Sequence, residues 1–142
     1  MFFKLRNIEY EIVKTSVRLN KKDTGLHMDI NIFARINDEK IDFELREIEI
    51  YIESFNTNVH NIEDLKNKKF VWNDIVNDKN ESAGVLNIVE YEDVTKGIIE
   101  ILKVDNDNIT IHWNGTANVF WNAEYRDNVP FDIEFTGAIS VK

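Results

Sequence analysis

Carboxylate side chains that alternate with isoleucines are the feature of this sequence best suited to chemistry. Ile48, Ile50 and Ile52 occupy every second position, so in a β-strand they share one face. The opposite face then carries negative charge around one tyrosine, at Glu47, Glu49, Tyr51 and Glu53. Such a face is suited to a basic partner surface. Charge that keeps an exposed strand soluble and protects it against edge pairing is the alternative explanation.

The residues just before this segment extend the acidic pattern. The apolar residues from 41 to 45 alternate in the opposite phase to the later isoleucines, which predicts one strand with a β-bulge at residues 46–47. On this interpretation Phe43 faces the core, and Asp42 and Glu44 continue the acidic face.

A second group of acidic residues flanks a tyrosine in a predicted loop from residue 122 to residue 130. A rigid aromatic ring within a charged rim is typical of protein recognition, although a partly buried loop tyrosine is equally compatible with the pattern. The sequence therefore predicts a partner-binding set that consists of Asp42, Glu44, Glu47, Glu49, Tyr51, Glu53, Glu124, Tyr125 and Asp127.

Motifs for catalysis or for cofactor binding are not found in the sequence. There is no cysteine, no nucleophile elbow and no glycine-rich phosphate loop, and His27, His60 and His112 lack the spacing of a metal motif. We therefore expect no enzymatic activity, no cofactor and no metal site. Glu124 and Asp132 are the only candidates for the two carboxylates of an acid-pair hydrolase, which is an alternative function.

The charge of the chain limits the classes of partner. The 142 residues carry a formal net charge of −9, which repels phosphate backbones and anionic lipids and favours a basic protein. We expect neither nucleic acid nor membrane as a partner, and the chain itself to be a monomer or a weak homodimer. No apolar run approaches the ~18 residues of a membrane span, and the first residues lack an apolar signal region, so the expected location is the cytoplasm.

The stretch from Ile109 to Phe135 contains the clearest alternation of apolar and polar residues. A hairpin at Asn114-Gly115 would place apolar residues opposite polar ones, so the pattern favours one long strand that is bent or bulged at Gly115. Trp113 and Trp121 share the apolar face of this strand. Buried tryptophans are the default explanation, but with Trp72 they could also line a cavity for a small apolar ligand.

The remaining segments predict further strands and one short helix. The first three strands should pair as an antiparallel meander, with an irregularity in the first near residues 14–16. The expected fold is a single domain over residues 1–142, mainly β, an antiparallel β-sandwich or flattened barrel with one short helix near 61–68 capped by Asn61. The predicted strands cover residues 8–19, 26–36, 41–52, 70–72, 85–89, 98–104, 109–121 and, opening at Pro130, the last residues of the chain.

In size, acidity, absence of cysteine and β-rich pattern, the chain resembles the small immunity proteins that neutralise bacterial toxins. The segment W-x-G-x-A-N-V-x-W-N-x-E-Y…N-V-P-F, from Trp113 to Phe131, is similar to the C-terminal half of bacterial β domains of this kind. The resemblance is one of class and transfers no functional residue. It implies a cytoplasmic, non-enzymatic protein that binds and blocks a basic toxin.

Overall fold

β-Strands make up most of the chain in this computed structural model, which describes residues 1–121 and 123–142. Two 3-10 helical turns, Phe43–Leu45 and Ile62–Leu65, interrupt the series of strands. Within the described ranges, no helix is long and apolar enough to cross a membrane. The strands are β1 (Phe2–Leu5), β2 (Ile8–Lys22), β3 (Gly25–Arg35), β4 (Glu47–Asn56), β5 (Lys69–Trp72), β6 (Val85–Ile88), β7 (Glu90–Val104), β8 (Asn108–Trp121) and β9 (Glu124–Val141).

The nine described strands form one sheet that curves into a ring. Their order is β5-β7-β6-β4-β3-β2-β1-β9-β8, and β8 pairs back onto β7. The pairings are antiparallel except for a short parallel contact between β2 and β9, where Val17–Leu19 lies beside residues 139–141. The predicted mainly β, antiparallel fold is confirmed, and the meander of the first three predicted strands corresponds to β2, β3 and β4.

The core of the ring is built from the inward positions of these alternating strands. Along β8 every second residue from Ile109 to Trp113, and from Ala117 to Trp121, is buried, as period-two alternation requires. The prediction of one long strand is confirmed. Its irregularity lies elsewhere than at Gly115, however, because the pairing with β9 shifts register between Ala117 and Val119. In β2 the register shifts between Ile12 and Lys14, close to the predicted position.

The prediction that residues 41–45 form the first part of a bulged strand is wrong. Residues 43–45 form a 3-10 turn, and the strand begins only at Glu47. Phe43 is 82% exposed rather than inward-facing, whereas Leu45 is buried in the core and Ile41 is partly buried against it. A long-range contact holds this turn in place, since the buried hydroxyl of Tyr10 donates a 2.7 Å hydrogen bond to the carbonyl oxygen of Leu45.

The prediction of a loop over residues 122–130 holds for the turn residue Ala123 and is wrong from Glu124 onward. β9 begins at Glu124, because the end of β8 continues to pair with it, Trp121 opposite Glu124. Residue 122 lies outside the described residues. Pro130 therefore lies inside the strand and does not open it. Its carbonyl oxygen accepts from the backbone N–H of Arg6, so the side of Pro130 that lacks a donor faces away from β8.

The short helix near 61–68 is present as a single 3-10 turn over Ile62–Leu65. Asn61 precedes the turn but makes no side-chain hydrogen bond to its backbone, so the predicted capping contact is absent. Instead its side-chain amide donates to the carboxylate of Asp64 at 3.4 Å. Leu65 is the residue of the turn that enters the core.

Candidate acidic docking surface

The outer side of β4 carries the negative charge that the sequence predicts. Ile48, Ile50 and Ile52 are at most 1% exposed and pack in the core. Since side chains alternate across a strand, the residues between them point to solvent. We define the acidic face as these outward residues together with the glutamate of the preceding turn: Glu44, Glu47, Glu49, Tyr51 and Glu53.

Protection of a sheet edge does not explain the charge at Glu49, in the middle of β4. The strand pairs with β3 along most of its length, and with β6 through residues 49–51. β4 is therefore an interior strand of the ring where Glu49 and Tyr51 lie, and it offers no unpaired backbone there for a second sheet to join. Glu49 therefore points to solvent from a stretch of strand whose backbone is paired on both sides.

The acidic face is corrugated rather than flat. Three open depressions follow one another along it, with volumes of about 790, 270 and 620 Å³. Glu49 and Phe33 line both the first and the second depression, and Glu44 and Glu47 line both the second and the third. The carboxylates of the acidic face therefore border one continuous surface with concave sites, to which projecting side chains of a partner could fit.

The 3-10 turn adds an exposed aromatic ring to the end of this surface. Phe43 projects from the turn, and the guanidinium of Arg46 lies 5.7 Å from the centre of its ring. Arg46 also donates from Nε to the carbonyl oxygen of Ile41 at 2.8 Å, which fixes the turn from the other side. Asp42 is exposed immediately before the turn, and its backbone carbonyl accepts from the N–H of Leu45. A partner that contacts Glu44 would therefore also meet Phe43.

Tyr51 lies among negative charges. Burial raises the pKa of its hydroxyl, and Glu53, Tyr91 and Glu49 raise it further through their charges. Sequence reasoning missed Tyr91, which is 66% exposed. Tyr91 pairs with Asn87 of β6, which in turn pairs with Glu49 of β4, so three strands carry these side chains to one place.

The second predicted group, Glu124, Tyr125 and Asp127, lies at the start of β9. The Tyr125 hydroxyl donates a hydrogen bond to the carboxylate of Glu92, and this bond, together with the nearby charges of Glu90 and Asp127, raises the pKa of Tyr125 to about 12. Glu124 pairs with Arg126 at 3.6 Å. We refer to Glu90, Glu92, Tyr125 and Asp127 as the Tyr125 cluster.

The first residues of β7 contribute to both predicted groups, with Tyr91 on one face of the strand and Glu90 and Glu92 on the other. Tyr91 contributes to the surroundings of Tyr51, while its neighbours Glu90 and Glu92 contribute to those of Tyr125. The tyrosines of the chain other than buried Tyr10 therefore all lie beside carboxylates around this segment. The only sequence signal for this role was the charge of the segment itself, Glu90-Tyr91-Glu92-Asp93.

Comparison of the chain with protein-family models, with curated proteins and with solved structures found no match. The inference of function therefore rests on the geometry of the acidic face and of the Tyr125 cluster.

The two carboxylates proposed for an acid-pair hydrolase, Glu124 and Asp132, are too far apart for that reaction. Glu124 and Asp132 lie on one strand, eight positions and so roughly 26 Å apart, whereas a glycosidase pair needs about 5–10 Å. Asp132 instead contacts Nε2 of His112 at 2.5 Å on the outer side of the sheet. Within residues 1–121 and 123–142, no group of three or more His, Asp or Glu side chains could hold a metal ion.

The three tryptophans are packed into the core. Trp113 is fully buried, and Trp72 and Trp121 are 3% and 7% exposed. The ring of Trp113 meets that of Phe131 edge to face at 5.9 Å, and Trp72 meets Phe55 in the same way at 5.3 Å. These contacts account for the tryptophans as core residues, and no observation favours the apolar-ligand alternative.

Proposed function

We propose that the chain is a non-enzymatic protein-binding module, an immunity-type protein that blocks a basic toxin by covering it with the acidic face. The observation that carries the proposal is the orientation of β4, with its isoleucines buried and Glu47, Glu49 and Glu53 directed to solvent around Tyr51. A basic partner would be steered by this field and then held by contacts with the exposed rings of Phe43, Tyr91 and Tyr125.

The composition of the surface supports binding over solubility alone. Interfaces are enriched in aromatic residues, and hot-spot rings are surrounded by polar residues that exclude water. Phe43, Tyr91 and Tyr125 are 82%, 66% and 59% exposed; carboxylates flank the first two on both sides, and Tyr125 follows Glu124. Charges that served only to keep the protein in solution would not need exposed aromatic rings among them.

The proposal is tested by affinity capture from an extract of the source cells at low salt. The baits are the wild type, an acidic-face variant with Glu47→Lys, Glu49→Lys and Glu53→Lys, and a control variant with Glu63→Lys, Asp64→Lys and Asp78→Lys. Both variants have the same net charge, and all three control positions are exposed and lie outside the acidic face and the Tyr125 cluster.

We expect the wild type and the control to retain one basic protein that the acidic-face variant does not retain. Expression of the captured protein alone should arrest growth, and co-expression with the wild type should restore it. Equal capture by both charge-matched variants would contradict the proposal, because binding would then follow net charge and not the acidic face. Recovery of no basic protein would contradict it as well.

A further inference from the structure

The largest depression on the acidic face has walls of opposite charge. We call it the trough; it lies on the outer side of β2, β3 and β4 and has a volume of about 790 Å³. Lys14 and Arg18 of β2 form one wall, and both are exposed. The opposite wall belongs to β4 and carries Glu49, Tyr51 and Glu53.

The strand register places these walls directly opposite each other. Phe33 of β3 pairs with Lys14 on one side and with Glu49 on the other. Asn31 likewise lies between Ser16 and Tyr51. Neighbouring strands are about 4.8 Å apart, so the cationic and anionic walls are separated by roughly 10 Å, two strand spacings.

The residues of β3 between the two walls, which include Asp29 and Asn31, form the floor of the trough, and Asn31 orients a carboxylate of the acidic wall. The side-chain amide of Asn31 donates to one oxygen of Glu49 at 3.2 Å, which leaves the other oxygen for a ligand. Asp29, also on the floor, already accepts from the Ser54 backbone N–H at 2.6 Å and from the Asn20 amide at 3.3 Å. Glu49 and Glu53 are therefore the carboxylates of the trough best placed to pair with an incoming cation.

We propose that the trough is the docking site for an extended partner segment in which an arginine and an acidic residue lie two positions apart. The arginine pairs with Glu49 and Glu53 and stacks on the ring of Tyr51, while the acidic residue pairs with Lys14 and Arg18. Residues two apart in an extended chain are about 6.7 Å apart, and their side chains reach the remaining distance to both walls. The partner in this inference is the one assumed in the proposed function.

The two charged walls predict a preference for zwitterionic peptides, which the net charge of the protein does not predict. A protein of charge −9 should favour the most basic peptide if long-range attraction alone decided binding. In the trough, a second cation would face Lys14 and Arg18 and be repelled, whereas a carboxylate there would be attracted. A zwitterionic segment should therefore bind more tightly than an all-basic segment of the same length.

The experiment uses three short peptides as probes of the isotope-labelled full chain by NMR titration. They are acetyl-Gly-Glu-Ser-Arg-Gly-amide, the same peptide with glutamine in place of glutamate, and the same peptide with lysine in that place. We expect the glutamate peptide to have a dissociation constant roughly threefold below that of the lysine peptide, as two exposed ion pairs allow. The shifted resonances should be those of the trough residues in β2, β3 and β4.

Two variants identify the walls. In Lys14→Glu/Arg18→Glu the order of the peptides should invert, with the lysine peptide binding most tightly. In Glu49→Gln/Glu53→Gln all three peptides should bind several-fold more weakly, because each contains the arginine. The matched control Glu63→Gln/Asp64→Asn should keep the wild-type order, since these residues lie outside the trough.

Tighter binding of the lysine peptide to the wild type, or shifts spread over the whole outer surface, would overturn the inference and leave the proposed function intact. The absence of any shift in the trough with all three peptides would overturn it too. If the peptide ranking holds while no basic protein is captured from the extract, the proposed function fails and the trough remains a binding site for zwitterionic segments.

Discussion

Two glycines that face each other across β7 and β8 should respond in opposite directions to the same substitution. Gly97 and Gly115 are cross-strand partners. A Cβ atom added at Gly115 would overlap the carbonyl oxygen of Lys96 and lie 2.9 Å from the Cα of Gly97, well inside the ≈3.5–4.0 Å of carbon contacts. A Cβ at Gly97 would instead lie 3.5 Å from Nε1 of Trp113 and 3.8 Å from Val94, which are ordinary contacts.

The expected changes in the free energy of unfolding follow from how far the backbone must shift to accept each new Cβ atom. Gly115→Ala forces the backbones of two paired strands apart by about 1 Å, an overpacking that costs about 3 kcal/mol. Gly97→Ala displaces nothing and restricts the unfolded chain, so it should stabilise the protein by about 0.5 kcal/mol. For a chain of 142 residues, 3 kcal/mol corresponds to a fall in Tm of about 10 °C.

The assay is urea unfolding followed by tryptophan fluorescence, with thermal unfolding by circular dichroism as a second measurement. The wild type and the two alanine variants are compared at one protein concentration. Equal destabilisation by both substitutions, or a Gly115→Ala variant as stable as the wild type, would refute the close approach of Lys96 to Gly115 and with it the described pairing of β7 and β8.

Three further substitutions test local features. Val89 is a β-branched residue with a φ of +69°, a conformation that asparagine adopts more readily. Val89→Asn should therefore raise the free energy of unfolding by about 1 kcal/mol, measured by urea unfolding. Tyr10→Phe should lower the free energy of unfolding by about 1–2 kcal/mol in the same assay, because the buried carbonyl oxygen of Leu45 loses its hydrogen-bond donor. Because the folded-state pKa of Tyr125 is raised to about 12 from an ordinary 10, the stability from its hydroxyl is complete below pH 10 and is lost as the pH rises through 12. Glu92→Gln should bring this pKa back toward 10 in an ultraviolet tyrosinate titration, with Tyr125→Phe as the reference; an unchanged pKa would contradict the Tyr125–Glu92 hydrogen bond.

The sequence was sufficient to predict the faces of the long strands. In β3 and β8, and in β4 from Glu47 onward, apolar residues alternate, and burial follows the alternation because only one side of each strand meets the core. The orientation of Glu47, Glu49, Tyr51 and Glu53 is therefore a consequence of local pattern alone.

Features that depend on distant contacts could not be predicted in the same way. The apolar residues of 41–45 and 48–52 alternate in opposite phase, which is compatible either with one bulged strand or with a strand that begins only after the first run. The structure shows the second arrangement, and the hydrogen bond from Tyr10 to Leu45, across 35 positions, holds the first run as a 3-10 turn. The Tyr125 cluster likewise depends on β7, whose Glu92 is 33 positions before Tyr125. Local patterns carry no information about such pairs, so the sequence could not reveal Tyr91 and Glu92 as part of the site.

The central claim is that a basic partner docks on the acidic face and the Tyr125 cluster. The most direct test is photocrosslinking of the captured partner from a benzoyl-phenylalanine placed at position 91, with position 136 on the outer side of β9 as the control. Tyr91 lies beside Tyr51, and Thr136 is equally a solvent-facing strand residue. We predict a crosslink to the partner from position 91 and none from position 136. A crosslink from position 136 alone, or equal yields from both, would contradict the claim.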